Sequence, residues 1–162
     1  ILYNIPGRAV VQIAVDTMAR LSKHPNIIGV KDATANLMRP SRERLACGKD
    51  WLLLSGEDGT ALGYNAHGGQ GCISVTANIA PRLCAEFQAA CAAGDFAKAR
   101  DYQDRLMPLH DALFCETSPA PVKYAASLLG LCAETVRLPL VEASEAARAQ
   151  VQAGMRHAGL KF

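Results

Sequence analysis

The sequence predicts an α/β protein that begins with a repeat of short strands and helices and ends in a helical region. Four short apolar runs end near residues 4, 31, 55 and 76, at intervals of 27, 24 and 21 residues. Helical patterns or helix breakers fill these intervals, as in a parallel sheet whose strands are joined by helices. After Gly94 the strand pattern stops, and apolar side chains recur every three or four residues.

One predicted helix separates the first two strands. Ile1–Asn4 is typical of the end of a strand, and the Pro6-Gly7 pair breaks it. Apolar side chains at positions 10, 14, 18 and 21 then recur at helical spacing, so the predicted helix includes Val10. The second strand, Ile27–Val30, is a β-branched run of the kind that is buried on both faces of a parallel sheet.

The rest of the repeat alternates regularly. A helix over 40–48 begins with proline, which favours a first helical turn, and stops at glycine. Trp51–Leu54 is the third predicted strand, and a short helix over 60–66 follows it. Cys72–Val75 is the fourth predicted strand, and a helix over 81–94 completes the repeat.

The helical region contains three predicted helices, over residues 96–113, 121–131 and 144–157. We expect Pro108 to kink or break the first of them, because proline lacks the amide hydrogen that a helix interior uses. The change of pattern predicts two domains, residues 1–94 and residues 95–162.

Four parallel βα units form a sheet with unprotected edges, whereas eight such units close into a barrel that has none. The chain lacks an initiator Met, and its first residues are typical of the end of a strand. We therefore expect the second half of a (β/α)8 barrel, that is, of a TIM barrel, followed by a C-terminal three-helix domain.

Composition excludes several function classes. Half of the 162 residues are hydrophobic and 20% are charged, which supports a packed core, and a net charge of +2 without basic runs argues against nucleic-acid binding. The longest apolar stretch, ten residues from Tyr124 to Ala133, is too short to span a membrane. Six cysteines without a C-x-x-C pair and four scattered histidines indicate reduced thiols in a cytoplasmic protein and no metal site.

The active face of such a barrel lies at the carboxyl ends of its strands. Lys31 directly follows Ile27–Val30; in a dry site its ammonium would lose a proton more readily, and the free amine could attack a carbonyl carbon. Tyr3 could relay a proton to the adduct, and Arg8 could bind a carboxylate with its forked donors. The alternatives are a lysine that extends to water, a packed tyrosine and an exposed arginine.

Several motifs at these positions occur in the order found in the dihydrodipicolinate synthase family. They are Tyr3–Arg8, Ile27–Thr34, Ser55–Asp58, Ile73–Asn78, Arg105–His110 and Pro121–Lys123. The chain resembles the second half of these enzymes, which are pyruvate-dependent Schiff-base aldolases of lysine and diaminopimelate biosynthesis. The resemblance covers nearly the whole chain and implies a 4-hydroxy-tetrahydrodipicolinate synthase, a lyase that condenses pyruvate with aspartate semialdehyde.

The resemblance also implies a role for each matching residue. Lys31 matches the lysine that forms the pyruvate imine, and Tyr3 matches the tyrosine that relays protons. Arg8 matches the arginine that holds the carboxylate of aspartate semialdehyde. Gly56 and Ile73 match pocket positions that offer backbone groups to the substrate. No cofactor is implied beyond the covalent imine on Lys31.

The resemblance further implies partners that this chain does not contain. The pyruvate-binding Gly-Thr-Thr-Gly-Glu loop, a tyrosine from a neighbouring subunit and the lysine-feedback site belong to the first half of the family's barrel. We therefore expect the chain to be a C-terminal fragment that works with an N-terminal half barrel in a homotetramer, and to be inactive alone.

Two other functions remain open from the sequence. An N-acetylneuraminate lyase or a keto-deoxy-sugar aldolase would use the same lysine with a sugar aldehyde, and Arg8 argues for an acidic acceptor instead. A non-catalytic remnant would also lack the first half barrel, and its exposed strand edges would favour self-association.

Overall fold

A computed structural model describes residues 1–162 and contains three strands and eight helices. The strands are β1 (Leu2–Asn4), β2 (Gly29–Asp32) and β3 (Leu52–Ser55). The helices are α1 (Pro6–Ala9), α2 (Val15–Leu21), α3 (Arg39–Cys47), α4 (Ala61–Ala66), α5 (Pro81–Ala92), α6 (Phe96–Ala112), α7 (Ala120–Leu128) and α8 (Glu145–Ala158). The predicted alternation of strands and helices, followed by helices alone, is confirmed.

The three strands form one parallel sheet in the order β1-β2-β3. Tyr3 is paired with Lys31, and Lys31 is paired with Leu54. Asn4 is paired with Asp32 one residue further along. Because successive side chains of a strand point to opposite faces, this register places Tyr3 and Lys31 on one face and Asn4 and Asp32 on the other.

The fourth predicted strand is present only as a single parallel bridge between Ser55 and Cys72. Beside β3, the Ile73 amide donates to the Ser55 carbonyl at 2.9 Å. Val75 already has helical backbone angles, φ −78° and ψ −43°, and a 3₁₀ turn over Thr76–Asn78 follows it. The pairing ends because this segment turns before a ladder of several residues can form.

The predicted helix that included Val10 is wrong at its beginning. Pro6 starts a separate four-residue helix directly after β1; this helix ends at Ala9, and its C-cap residue, Val10, adopts left-handed angles with φ 65°. Val10 is 94% exposed, whereas Met18 of α2 is fully buried. Apolar spacing alone did not distinguish a core position from an exposed helix cap.

The second predicted strand is displaced by two residues. β2 begins at Gly29 and includes Lys31, and Ile28 is exposed before it. Gly29 lies so close to β3 that a Cβ atom at this position would collide with Leu52. The absence of a side chain therefore permits the close approach of these two strands.

The chain divides into two compact units, one of residues 1–74 with 91–96 and one of residues 75–90 with 97–162. The core of the first unit is formed by Met18, Val30, Trp51, Leu53 and Tyr64. The predicted domain boundary near residue 94 stays a prediction.

The core of the second unit is a larger cluster of apolar side chains from its helices. Leu106 and Leu109 of α6 and Val151 and Met155 of α8 are buried in it. α6 continues through Pro108 to Ala112, so the proline does not end the helix. Ser144 caps α8, because its hydroxyl accepts the Ala147 amide at 3.2 Å.

Candidate functional site

The candidate site is formed where β1 and β2 bring Tyr3 and Lys31 side by side. The Lys31 ammonium nitrogen lies 4.1 Å from the centroid of the Tyr3 ring. Tyr3 is 47% exposed and Lys31 is partly buried, so both groups are accessible to a ligand. An aromatic face attracts a cation, and this contact holds the lysine head close to the phenol ring.

Gly56 borders the other side of the lysine stem. A Cβ atom at this position would lie 3.0 Å from Lys31 Cε, Lys31 Cγ and Ala33 Cβ. The Gly56 amide donates to the Asp32 carbonyl at 2.7 Å, which fixes the glycine against β2. The lysine chain is therefore confined between an aromatic ring and a backbone segment that carries no side chain.

Ile73 and Gly56 use their amides within the fold. The Ile73 amide donates to Ser55, and the Gly56 amide donates to Asp32. Their carbonyl oxygens accept none of the backbone hydrogen bonds of the surrounding loops. Carbonyl oxygens accept hydrogen bonds, so a ligand at these positions would have to present hydroxyl, amine or imine donors.

Arg8 lies on α1 and is exposed. No ion pair or hydrogen bond engages its guanidinium group. Its forked donors are free for a carboxylate that reaches the surface beside β1. The structure thus brings Tyr3, Lys31 and Gly56 into contact and presents Arg8 separately.

A buried ion cluster lies on the opposite face of the strand ends. Arg39 Nε lies 3.1 Å from Asp32 Oδ2, and Arg39 Nη2 lies 2.7 Å from Glu43 Oε1. The second Glu43 oxygen is buried without a partner. Burial raises the pKa of Glu43 from 4.5 to about 7, with Arg39 lowering it and Asp32 raising it further.

Sequence reasoning missed this cluster and the role of Asn4. Asn4 Oδ1 accepts the Ile13 amide at 2.9 Å, and Asn4 is 1% exposed. One local signal was present, since Arg39 and Glu43 are four residues apart and share a helix face. The pairing of Arg39 with Asp32 depends on how α3 packs against β2, and a one-dimensional pattern does not contain it.

The side chains of this chain form neither a metal-binding cluster nor a disulfide. No group of three or more His, Cys, Asp or Glu side chains is arranged to hold a metal ion. All six cysteines are free thiols. None of the helices has both the length and the apolar character needed to cross a membrane.

The profile of the Dihydrodipicolinate synthetase family matches residues 1–158. Relatives include two 4-hydroxy-tetrahydrodipicolinate synthases: that of Jannaschia sp. (strain CCS1) is 62% identical over 159 residues, and that of Parvibaculum lavamentivorans is 63% identical over 160. The matches cover 98% and 99% of this chain but 55% of each relative. The chain therefore spans about half the length of the curated relatives it matches.

Solved structures show the same similarity. Dihydrodipicolinate synthase from Aquifex aeolicus superposes with a TM-score of 0.94 at 39% identity, over 98% of this chain and 54% of that one. The chloride-inhibited dihydrodipicolinate synthase from Acinetobacter baumannii, complexed with pyruvate, has a TM-score of 0.94 at 39% identity, over 99% and 55% of the two chains. The predicted fold class, half of a (β/α)8 barrel followed by helices, is confirmed by these similarities.

Proposed function

The chain belongs to the Dihydrodipicolinate synthetase family, and on that premise we propose that it carries the Schiff-base lysine of a 4-hydroxy-tetrahydrodipicolinate synthase. The substrates would be pyruvate and aspartate semialdehyde, and the product would enter lysine and diaminopimelate biosynthesis. The observation that carries the proposal is the contact of the Lys31 ammonium with the Tyr3 ring, with Gly56 against the lysine stem.

Lys31 would act as the nucleophile. Its neutral amine attacks the ketone carbon of pyruvate, and loss of water gives an imine. This imine is the covalent intermediate of the reaction and takes the place of a cofactor. Loss of a proton from the pyruvate methyl group gives an enamine. The enamine carbon then bonds to the aldehyde carbon of the second substrate, and the amino group of that substrate displaces the lysine as the ring closes.

Tyr3 and Arg8 would supply the other steps on this chain. The Tyr3 hydroxyl passes protons to and from the carbinolamine oxygen, since general acid–base catalysis needs a group within hydrogen-bond reach. Arg8 binds the carboxylate of the semialdehyde through its forked donors. The carbonyl groups of Gly56 and Ile73 accept hydrogen bonds from the bound adduct.

The remaining parts of the site would lie outside this chain, which spans about half of its relatives. We propose that an N-terminal half barrel supplies the groups that hold the pyruvate carboxylate. We further propose that the complete cytoplasmic enzyme is a homotetramer, and that residues 95–162 form its C-terminal helical domain.

Chemical trapping tests the role of Lys31. Borohydride reduction of the full-length protein in the presence of pyruvate should add a reduced pyruvyl group to Lys31 alone. Lys31→Arg keeps the charge, removes the nucleophilic amine and should abolish the adduct, whereas Lys23→Arg, at an exposed lysine, should leave it intact. An adduct on another lysine would refute the assignment.

Steady-state rates distinguish the synthase from the sugar aldolases. The full-length protein should condense pyruvate with aspartate semialdehyde much faster than it cleaves sialic acid. Arg8→Leu should raise the KM for the semialdehyde and leave the trapping of pyruvate unchanged, because the cation contacts only the second substrate. Efficient cleavage of sialic acid would favour the alternative, and the absence of both reactions would favour a non-catalytic remnant.

A further inference from the structure

The segment that carries Arg8 has no apolar anchor along most of its length. This Arg8 segment, residues 5–13, connects β1 to the start of α2 and includes α1. None of the side chains from position 5 to position 12 is buried. Hydrophobic burial therefore does not fix the position of α1 within this chain, and the ends of the segment have to do so.

Ile13 is the fixed far end of the Arg8 segment. Its side chain packs against the core of the first unit. Its amide donates to Asn4 Oδ1 at 2.9 Å, and its carbonyl accepts from Arg39 Nη2 at 3.0 Å. Asn4 is 1% exposed and Arg39 is 5% exposed, so water does not compete freely for either hydrogen bond.

Both of these polar side chains are themselves tied to the strand ends of the site. Asn4 directly follows Tyr3 and ends β1. Arg39 is paired with Asp32, which directly follows Lys31 and ends β2. The near end of the Arg8 segment leaves β1 at Asn4, and its far end returns to the Asn4 side chain. The two strands that present the reactive pair thus also fix both ends of the segment that presents the arginine.

We infer that Asn4 and Arg39 are positioning residues for Arg8, and that they fix the guanidinium where it receives the carboxylate of the second substrate. This inference rests on the proposed function, because it assigns Arg8 to the acidic aldehyde. Neither residue would touch the substrate, because Asn4 lies on the strand face opposite Tyr3, and Arg39 is paired with Asp32 on that same face. Their buried hydrogen bonds to Ile13 close the Arg8 segment into a loop of defined geometry.

Asn4→Leu tests the inference with little change in volume, since it removes the oxygen that accepts the Ile13 amide. In the full-length protein, the Ile13 amide should exchange with deuterium faster than in the wild type. The KM for aspartate semialdehyde should rise about tenfold, because a small displacement of a binding group weakens its contact. The KM for pyruvate and the borohydride adduct on Lys31 should not change.

Asn4→Asp is the matched rescue, because it keeps the acceptor oxygen. The Asn4 amide nitrogen makes no hydrogen bond, so the exchange of this group removes no contact. Because the new carboxyl is buried beside Asp32, the variant and the wild type are compared at about pH 5, where a buried carboxyl stays protonated. The Ile13 amide of Asn4→Asp should stay protected, and the KM for the semialdehyde should return toward the wild-type value. A loss of protection in both variants would mean that the acceptor oxygen is not what holds Ile13, and would overturn the inference.

The background Arg8→Leu separates positioning from general stability. If Asn4 acts through Arg8, Asn4→Leu should not raise the KM for the semialdehyde further once Arg8 is gone. A second increase of the same size in that background would overturn the inference. Equal rises in the KM of both substrates would also overturn it, because they would indicate a general disturbance of the site.

The exchange measurement does not depend on the enzymatic assay. If the Ile13 amide loses protection in Asn4→Leu but the wild type does not condense the two substrates, the proposed function is refuted, whereas the role of Asn4 in holding Ile13 is supported. If the wild type is active and the Ile13 amide is unaffected by Asn4→Leu, the proposed function is supported, whereas the role of Asn4 in holding Ile13 is refuted.

Discussion

Gly56 leaves room for the Lys31 side chain because it has no side chain of its own. The lysine stem passes 3.0 Å from the position that a Cβ atom would occupy on Gly56, and Ala33 is equally close on the same side. A contact this short requires a neighbour to move. The movable neighbour is Lys31, because Ala33 has no rotatable side chain.

Gly56→Ala should therefore displace Lys31 from the Tyr3 ring. We expect the rate of borohydride trapping with pyruvate to fall by about tenfold, since the lysine has to move by a few tenths of an ångström and a displacement of about 1 Å costs about a hundredfold. Samples are quenched with borohydride at successive times, and peptide mass spectrometry measures the adduct in each sample and so gives this rate. Gly7→Ala is the matched control, because a Cβ atom there meets nothing within 4 Å. A rate for Gly56→Ala equal to that of the control would show that the lysine stem has other room.

Val10 is a β-branched residue in left-handed backbone, with φ 65°. This conformation costs about 1–2 kcal/mol for a residue that has a side chain at Cβ, and glycine avoids it. Val10→Gly should therefore raise the free energy of unfolding by about 1 kcal/mol, because the relief of strain exceeds the added entropy of glycine.

Val11→Gly is the control for this prediction. Val11 is also exposed, and it does not have positive φ. Glycine there should lower the free energy of unfolding by roughly 0.5–1 kcal/mol, since only the entropy cost remains. Urea unfolding of both variants measures the difference, and destabilisation by Val10→Gly would argue against strain at this position.

The contact of Tyr3 with Lys31 is predictable from the sequence, whereas the hydrogen bonds of Asn4 and Arg39 to Ile13 are not. Parallel strands end at the same edge of a sheet, so polar residues at successive strand ends were expected to meet. Arg39 reaches the Ile13 carbonyl across 26 positions of the chain. Such a contact arises from the packing of α3 against α2 and β2, and neither composition nor periodicity encodes its partner.

At the scale of elements, α3 is attached to β2 by charges as well as by packing. Arg39 and Glu43 lie one turn apart on α3, and Asp32 ends β2. All three side chains are buried. Burial is the main reason why the pKa of Glu43 is raised; Arg39 opposes this effect, and the second carboxylate, Asp32, adds to it.

The raised pKa of Glu43 makes stability depend on pH. The folded protein holds this proton up to about pH 7, whereas the unfolded chain releases it near 4.5. The contribution of this proton to stability is therefore complete below pH 4.5 and is lost as the pH rises through 7. Over this window, Glu43→Gln should gain roughly 3 kcal/mol of stability relative to the wild type, since glutamine carries no charge to bury.

Urea unfolding of the wild type and Glu43→Gln between pH 4.5 and pH 8 tests this expectation. Glu145→Gln, at a carboxylate that is 93% exposed, is the control and should change the pH dependence by less than about 1 kcal/mol. Parallel stability curves for the wild type and Glu43→Gln would show that Glu43 is ionised in the folded protein throughout.

Element boundaries were predictable where proline and glycine mark them, and less so elsewhere. The helix expected over 40–48 is α3, Arg39–Cys47, with Gly48 at its end. The predicted length of the fourth strand is too great, because its apolar residues do not reveal that the chain turns into a 3₁₀ segment at Val75. The helix-breaking effect expected of Pro108 is also too strong, since tertiary packing of Leu106 and Leu109 keeps α6 continuous.

At the scale of the whole molecule, β1 pairs with β2 and has no further strand on its other side within this chain. Ile1, Val10 and Ile28 are exposed apolar side chains of the same unit. An open strand edge with apolar residues favours pairing between chains. We therefore expect residues 1–162, expressed alone, to self-associate.

We also expect residues 1–162 alone to lack synthase turnover. Under the proposed function, the groups that hold the pyruvate carboxylate would lie outside this chain, and orientation of reactants is worth roughly 7–11 kcal/mol in rate. Sedimentation measures the association, and a coupled assay with both substrates measures turnover. The full-length protein is the control, and turnover of the isolated chain near that of the full-length protein would refute this expectation.

The pairing of Tyr3 with Lys31 and of Asn4 with Asp32 also sets which mutations the lineage can accept. A deletion or insertion of one residue within β2 would exchange the two faces of the strand, so that a carboxylate would stand at the Tyr3 ring and an amine would be buried against Arg39. Substitutions test one side chain at a time, whereas such a change of length would remove the proposed nucleophile, Lys31, and the ion cluster together. Variation in length among relatives should therefore be confined to the turns. The number of residues between β2 and α3 should vary less than the identities of the residues in that connection.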